Sequence, residues 1–142
     1  MAVPTVLVVD DNPDLVQLLT DILRELGGYE VAVAENGMQG LERYEEVHPD
    51  CVIIDVMMPE LDGYQVVKAL RGDPASAQTP LVILTALGQD VSRLNGLIAG
   101  ADRYLVKPVI PSDLIQVIHE VMQLSEAERE GYLQQLAKQL DA

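Results

Sequence analysis

Residues 6–13 read Val6-Leu7-Val8-Val9-Asp10-Asp11-Asn12-Pro13. An uninterrupted apolar run rich in valine describes a strand buried on both faces. Asn12-Pro13 then supplies a helix cap and a first-turn proline. Behind it Leu15, Leu18, Leu19, Ile22 and Leu26 recur at helical spacing, and Gly27-Gly28 ends that helix. A buried strand feeding directly into an amphipathic helix is the building unit of a parallel α/β sheet. The acidic pair falls at the junction, at the carboxyl end of the strand.

The unit recurs along the chain. Cys51-Val52-Ile53-Ile54, Leu81-Val82-Ile83-Leu84 and the shorter Tyr104-Leu105-Val106 read as further buried strands, and the alternating Tyr29–Ala34 as an edge strand. Helices are predicted over about 37–47, from Gly63-Tyr64 to Arg71-Gly72, over about 90–100 with Val91, Leu94, Leu97 and Ile98 inward, and from Pro111 to about Leu124 on a stripe of Leu114, Val117, Ile118 and Val121. Asp73–Gln78 reads as a polar loop. The order is (βα)5, a doubly wound five-stranded parallel sheet in one domain over residues 1–124. Residues 125–142 form a separate unit. Ser125-Glu126-Ala127-Glu128 has the form of a capping box, and Tyr132, Leu133, Leu136 and Leu140 make a short apolar stripe. That segment reads equally as a short C-terminal helix folded back on the domain, as a dimer contact, or as the stub of a linker.

Composition narrows the function. Of 142 residues 49% are hydrophobic, enough for a core and too many for a disordered chain. Nine Lys and Arg face 23 Asp and Glu, giving a net charge of −14 and a pI of about 4.2. Nucleic-acid binding and adhesion to an anionic membrane need clustered bases, so neither is expected. The acid excess suggests a cation or a basic partner. With neither Trp nor Phe, the core must be aliphatic. The one cysteine, Cys51, excludes an intrachain disulfide and reads as a small buried hydrophobe. With no basic leader at the N-terminus and no run long enough to span a bilayer, a cytoplasmic location is expected.

In an open parallel sheet, ligands bind beyond the carboxyl ends of the strands. Those ends carry Asp10-Asp11, Asp55, Thr85 and Lys107-Pro108, with Glu35-Asn36 on the weaker edge strand. Taken singly, each has an ordinary explanation: a helix cap, a turn residue, a strand end, a solvated charge. Together they place three carboxylates, a hydroxyl and an ammonium on one rim. Two carboxylates 4 Å apart repel by about 4 kcal/mol at an effective dielectric of 20. A divalent cation relieves that, and a site with few hard oxygen ligands and open water positions suits magnesium. A carboxylate beside a cation and an ammonium can then accept a phosphoryl group as an aspartyl phosphate.

Four blocks occur in order: Val8-Val9-Asp10-Asp11-Asn12; Ile53-Ile54-Asp55-Val56-Met57-Met58-Pro59-Glu60-Leu61-Asp62-Gly63; Leu84-Thr85-Ala86; and Gly100-Ala101-Asp102-Arg103-Tyr104-Leu105-Val106-Lys107-Pro108. Over about residues 4–124 the chain resembles a response-regulator receiver domain of two-component signalling. The resemblance implies a flavodoxin-like strand order of 2-1-3-4-5. It implies that Asp55 is the phosphorylated residue, that Asp11 binds Mg2+ directly with Asp10 acting through water, and that Met57 lends a backbone carbonyl. By the same resemblance, Thr85 is the switch hydroxyl with Ala86 beside it at the phosphoryl group. Lys107 pairs with a phosphoryl oxygen, Tyr104 is the rotating aromatic, and Lys107-Pro108 is a cis bond. The phosphoryl donor is a sensor histidine kinase or a histidine phosphotransfer protein. A two-state shift then alters a face built from the fourth helix, fifth strand and fifth helix, which meets a downstream protein or a second copy. The residues two beyond Asp55 and Thr85, Met57 and Leu87, are both apolar. In this family they flank the phosphoryl group, which implies slow self-dephosphorylation.

Competing readings fare worse. A flavodoxin-type nucleotide site wants a Gly, Ser and Thr-rich loop where Asp10-Asp11 stands. Gly-x-Gly-x-x-Gly is absent. Asp10-Asp11-Asn12 lacks the Asp-x-Asp of aspartate-nucleophile phosphatases. A receiver-like docking module that is never phosphorylated stays open, as does an excised piece of a larger regulator. His48 and His119 read as surface or helix-end residues. Nineteen of the 23 acids lie within residues 1–124. Apart from Asp10, Asp11 and Asp55, they read as solvated surface.

Overall fold

The computed structural model describes residues 3–55, 63–85 and 100–124, except for the side chain of Thr85. The predicted helix over 90–100, Met57, Ala86, Leu87 and the segment 125–142 lie outside the described residues. The five strands are β1 (Thr5–Val9), β2 (Glu30–Ala34), β3 (Cys51–Asp55), β4 (Leu81–Thr85) and β5 (Arg103–Val106). The described helices are α1 (Pro13–Glu25), α2 (Gly37–Val47), α3 (Gly63–Gly72) and α4 (Pro111–Met122), so α4 is the fifth of the helices predicted from the sequence. All strand pairs are parallel, in the order β2-β1-β3-β4-β5. This is the doubly wound order that the resemblance implied.

Strand parity divides the core into two layers. Leu7, Val9, Val52, Ile54, Leu81 and Ile83 face α3 residues Val66, Val67 and Leu70, with Leu41, Tyr44 and Val47 of α2 alongside. Val6, Val8, Cys51, Ile53, Val82 and Leu84 face Leu19, Ile22 and Leu23 of α1 and Leu114, Ile118 and Val121 of α4. Every residue of β3 is buried, as a central strand covered on both sides requires. Each such aliphatic side chain contributes roughly 1.5–3 kcal/mol. Cys51 is fully buried, and burial pushes its thiol pKa upward, so it packs as a hydrophobe.

Local signals account for the helix ends. Asn12 Oδ1 accepts from the N–H groups of Asp14 and Leu15 at 3.0 and 3.3 Å, and Pro13 follows. After α1, Gly28 sits at φ 68, a left-handed position that favours glycine. His48 ends α2 in the left-handed region, its N–H donating to Tyr44 O at 2.9 Å. His119 is exposed in the last turn of α4 beside Gln123.

One acid read as solvated surface is not. Asp102 is fully buried, and its Oδ2 accepts from Arg71 Nη2 at 3.1 Å and from Leu81 N–H at 2.8 Å. A charge can be carried inside when an ion pair and a backbone donor satisfy it.

Candidate functional site

The sheet parity that buries Val6, Val8, Cys51 and Ile53 on the α1/α4 side continues one step beyond the apolar residues. It carries Asp10 and Asp55 to the same side at the carboxyl edge, and Lys107 follows Leu105 in the same way. Asp10 is 1% exposed and Asp55 4% exposed, whereas Asp11 is open to solvent. One carboxylate oxygen from each of Asp10, Asp11 and Asp55 lies within 4.8 Å of the others. Lys107 Nζ donates to Asp55 Oδ2 at 2.6 Å, with the lysine partly exposed. A cleft of about 290 Å³, lined by Asp10, Asp11, Pro13, Val16, Gln17 and Glu35 among others, opens beside the carboxylates.

Capping does not explain the acidic pair, because Asn12 caps α1. Asp10 Oδ1 instead accepts from Asn12 N–H at 2.9 Å and fixes the turn into the helix. Asp10 Oδ2 is buried with no hydrogen-bond partner among the described residues. Burial pushes the Asp10 carboxyl up to about 6. The Asn12 hydrogen bond and the Lys107 charge oppose this, and the charges of Asp55 and Asp11 add to it.

An orphaned buried carboxylate oxygen beside two other carboxylates fits a hard divalent cation, which supplies what Asp10 Oδ2 lacks. Of the remaining predicted residues, Thr85 and Pro108 occupy the same edge. Thr85 ends β4 and pairs in register with Val106, and the Lys107–Pro108 peptide is cis. Tyr104 lies on the opposite face, half-buried against the α3-side core and in register with Ile83. Met57 and Ala86 lie outside the described residues. The Arg71–Asp102 pair went unread in the sequence. Its members stand 31 positions apart, and no local pattern links them.

Burial costs the ionised Asp10, and this gives a sign that can be measured. Its folded pKa, about 6, lies above the ordinary 3.8, so the folded state holds this proton more tightly than the unfolded chain does. The wild type therefore loses stability relative to Asp10→Asn as pH rises from 3.8 to about 6. Above that window, in EDTA, the Asp10→Asn variant is expected to be more stable by on the order of 2 kcal/mol. Urea denaturation of both proteins across the window checks this. A difference that does not grow with pH would sink the burial account.

A doubly wound sheet with buried carboxylates and a lysine at its carboxyl edge defines a class of domain built to receive an anionic group beside a metal ion. The model of the response regulator receiver domain matches residues 6–119, and the chain belongs to that family. It is 44% identical over 112 residues to the transcriptional regulatory protein PrrA of Mycobacterium tuberculosis, covering 79% of this chain and 47% of PrrA. The chain thus spans about half the length of the curated relatives it matches. Among solved structures, the chemotaxis protein CheY4 of Vibrio cholerae superposes with a TM-score of 0.79 at 33% identity, over 84% of this chain and 99% of that one. The receiver domain of the Pseudomonas aeruginosa sensor histidine kinase PA1611, solved with magnesium coordinated in its active-site cleft, does so with 0.80 at 30% identity, over 87% and 100%. No described helix is long and apolar enough to cross a membrane.

Proposed function

We propose that the chain is the phosphoacceptor of a two-component phosphorelay, taking a phosphoryl group from a sensor histidine kinase or a histidine phosphotransfer protein onto Asp55. The observation that carries this reading is the ion pair of Lys107 with a buried Asp55 beside Asp10 and Asp11. Lys107 orients the Asp55 carboxylate and stands ready to meet a phosphoryl oxygen. In the transfer, an Asp55 oxygen forms the new O–P bond and the P–N bond to the donor imidazole breaks, its electron pair leaving with the imidazole nitrogen. Asp10, Asp11 and Asp55 would hold Mg2+, and the resemblance adds the Met57 carbonyl. When bound, the ion supplies positive charge against the carboxylates and the incoming phosphoryl oxygens. Chemistry by this chain is limited to assisting its own phosphorylation and the later hydrolysis.

Thr85 and Ala86 would meet the phosphoryl group, and Tyr104 would respond to Thr85. The shift would then be read on the face formed by residues 90–100, β5 and α4, by a downstream protein or a second copy. Nucleic acid and membrane play no part through this chain, and its acidic surface fits that. The cytoplasm suits a chain whose single cysteine is buried and free. A docking module that is never phosphorylated is the alternative. The full set of Asp10, Asp11, Asp55 and Lys107 argues against it.

Phosphoramidate, whose P–N bond mimics phosphohistidine, tests the reading. Phosphoryl uptake is expected with Mg2+ and is expected to stop in EDTA; uptake indifferent to the metal would contradict it. The apolar Met57 and Leu87 offer no hydrogen bond to an attacking water. The double substitution Met57→Asn and Leu87→Glu should therefore shorten the phosphoryl half-life by about a hundredfold, the low end of positioned general-base assistance. An unchanged half-life, followed by acid-quenched intact mass, would count against that assignment.

A further inference from the structure

Among the described residues, the α1/α4 side of the domain is left incompletely covered. A groove of about 460 Å³ runs between the end of α1 and the length of α4, lined by Leu26, Tyr29, Ser112, Ile115, Gln116 and His119. Leu26 is 63% exposed, while Tyr29 and Ile115 are half-buried against the core layer beneath. Apolar side chains set around such a trough want a narrow apolar cover.

The chain supplies one nearby. α4 ends at Met122, and residues 125–142 follow after Gln123 and Leu124. This segment opens on the capping-box pattern Ser125-Glu126-Ala127-Glu128 and carries Tyr132, Leu133, Leu136 and Leu140 at helical spacing. We propose that residues 125–142 turn back at 123–125 and lie as a helix in the α1/α4 groove, antiparallel to α4. The register follows from a rise of about 1.5 Å per residue. Counted back from the turn, Leu133 comes level with Ile115 and Leu136 level with Ser112, the stretch of α4 that lines the groove. Opposite the stripe, the polar positions Gln134, Lys138 and Asp141 are left for solvent.

The same stripe could seat on a second copy, but the intramolecular contact has the advantage of proximity. A short connection sets an effective concentration in the millimolar range, well above ordinary protein concentrations. An amphipathic segment of this length is only marginally helical by itself, so the groove would also supply the stability its helix lacks.

Cross-linking separates the outcomes. Cys51 is fully buried, so the full chain carrying Ile115→Cys and Leu133→Cys offers one reactive pair. Mild oxidation is expected to give a monomeric disulfide in most molecules, seen as the loss of two hydrogens in intact mass. Disulfide-linked dimers, or two thiols left free, would overturn the proposal. Should that variant misfold, Leu133→Asp with Leu136→Asp in the full chain gives a second reading. Amide NMR shifts should then change mainly at Leu26, Tyr29, Ser112, Ile115, Gln116 and His119. Shifts that leave these residues unmoved would overturn it as well.

Discussion

Replacing Arg71 by methionine is expected to lower the unfolding free energy by about 3–5 kcal/mol, as loss of one partner of a buried ion pair does. The side chain sits at the end of α3 and donates to several backbone and side-chain acceptors. Nε donates to Gly100 O at 2.9 Å, Nη1 to Ala77 O and Thr79 O at 2.9 and 2.6 Å, and Nη2 to Asp102 Oδ2 at 3.1 Å. One guanidinium thus ties together α3, the 73–80 loop and the chain entering β5. Gly100, at φ 102, brings its backbone against the Arg71 stem, where an added Cβ would stand 3.1 Å from Arg71 Cγ. Methionine keeps much of the stem volume and leaves Asp102 buried without its cation. Adding Asp102→Asn should recover part of the loss, because the amide oxygen still accepts from Leu81 N–H while the charge at that position is gone. Urea denaturation of the wild type, the single and the double variant decides it. An Arg71→Met protein within 1 kcal/mol of the wild type, or a double variant less stable than the single, would show that the knot holds nothing.

That knot also shows where sequence reading stops. β1 and β3 were legible because their β-branched runs are unbroken and end in acids. α1 was legible because Asn12-Pro13 and Gly27-Gly28 mark both ends. β5 reads one residue short, since Arg103 looks like loop and joins the strand only by pairing with Val82. At the site, the residue types and their strand ends could be read. The contact could not, because Lys107 and Asp55 are 52 positions apart and their 2.6 Å separation depends on two intervening crossovers. The same limit hid Asp102. An aspartate after Gly100-Ala101 reads as a solvated turn, and the arrival of Arg71 and Leu81 N–H helps it to be buried. The ambiguity between capping and metal binding at Asp10-Asp11 was real in one dimension. It narrows once Asn12 takes the cap and Asp10 Oδ2 is seen buried without a partner among the described residues.

The second large effect is all-or-none and concerns Asp55. Among the described residues, its carboxylate is the buried acid that both contacts Lys107 and belongs to the acidic cluster, the placement on which the proposed phosphoacceptor role rests. Asparagine has nearly the same shape and can still accept a hydrogen bond from Lys107. The fold should therefore survive Asp55→Asn while the nucleophilic oxygen is lost. With one carboxylate fewer at the rim, the metal-free variant should unfold no earlier than the wild type, which separates loss of chemistry from loss of structure. The decisive measurement is intact mass after incubation with acetyl phosphate and Mg2+, wild type beside Asp55→Asn. The wild type should gain a single phosphoryl group that is labile to alkaline hydroxylamine, and the variant should gain none. A wild type that gains nothing, or a variant that gains the group equally, would contradict the assignment of Asp55 as the phosphoacceptor.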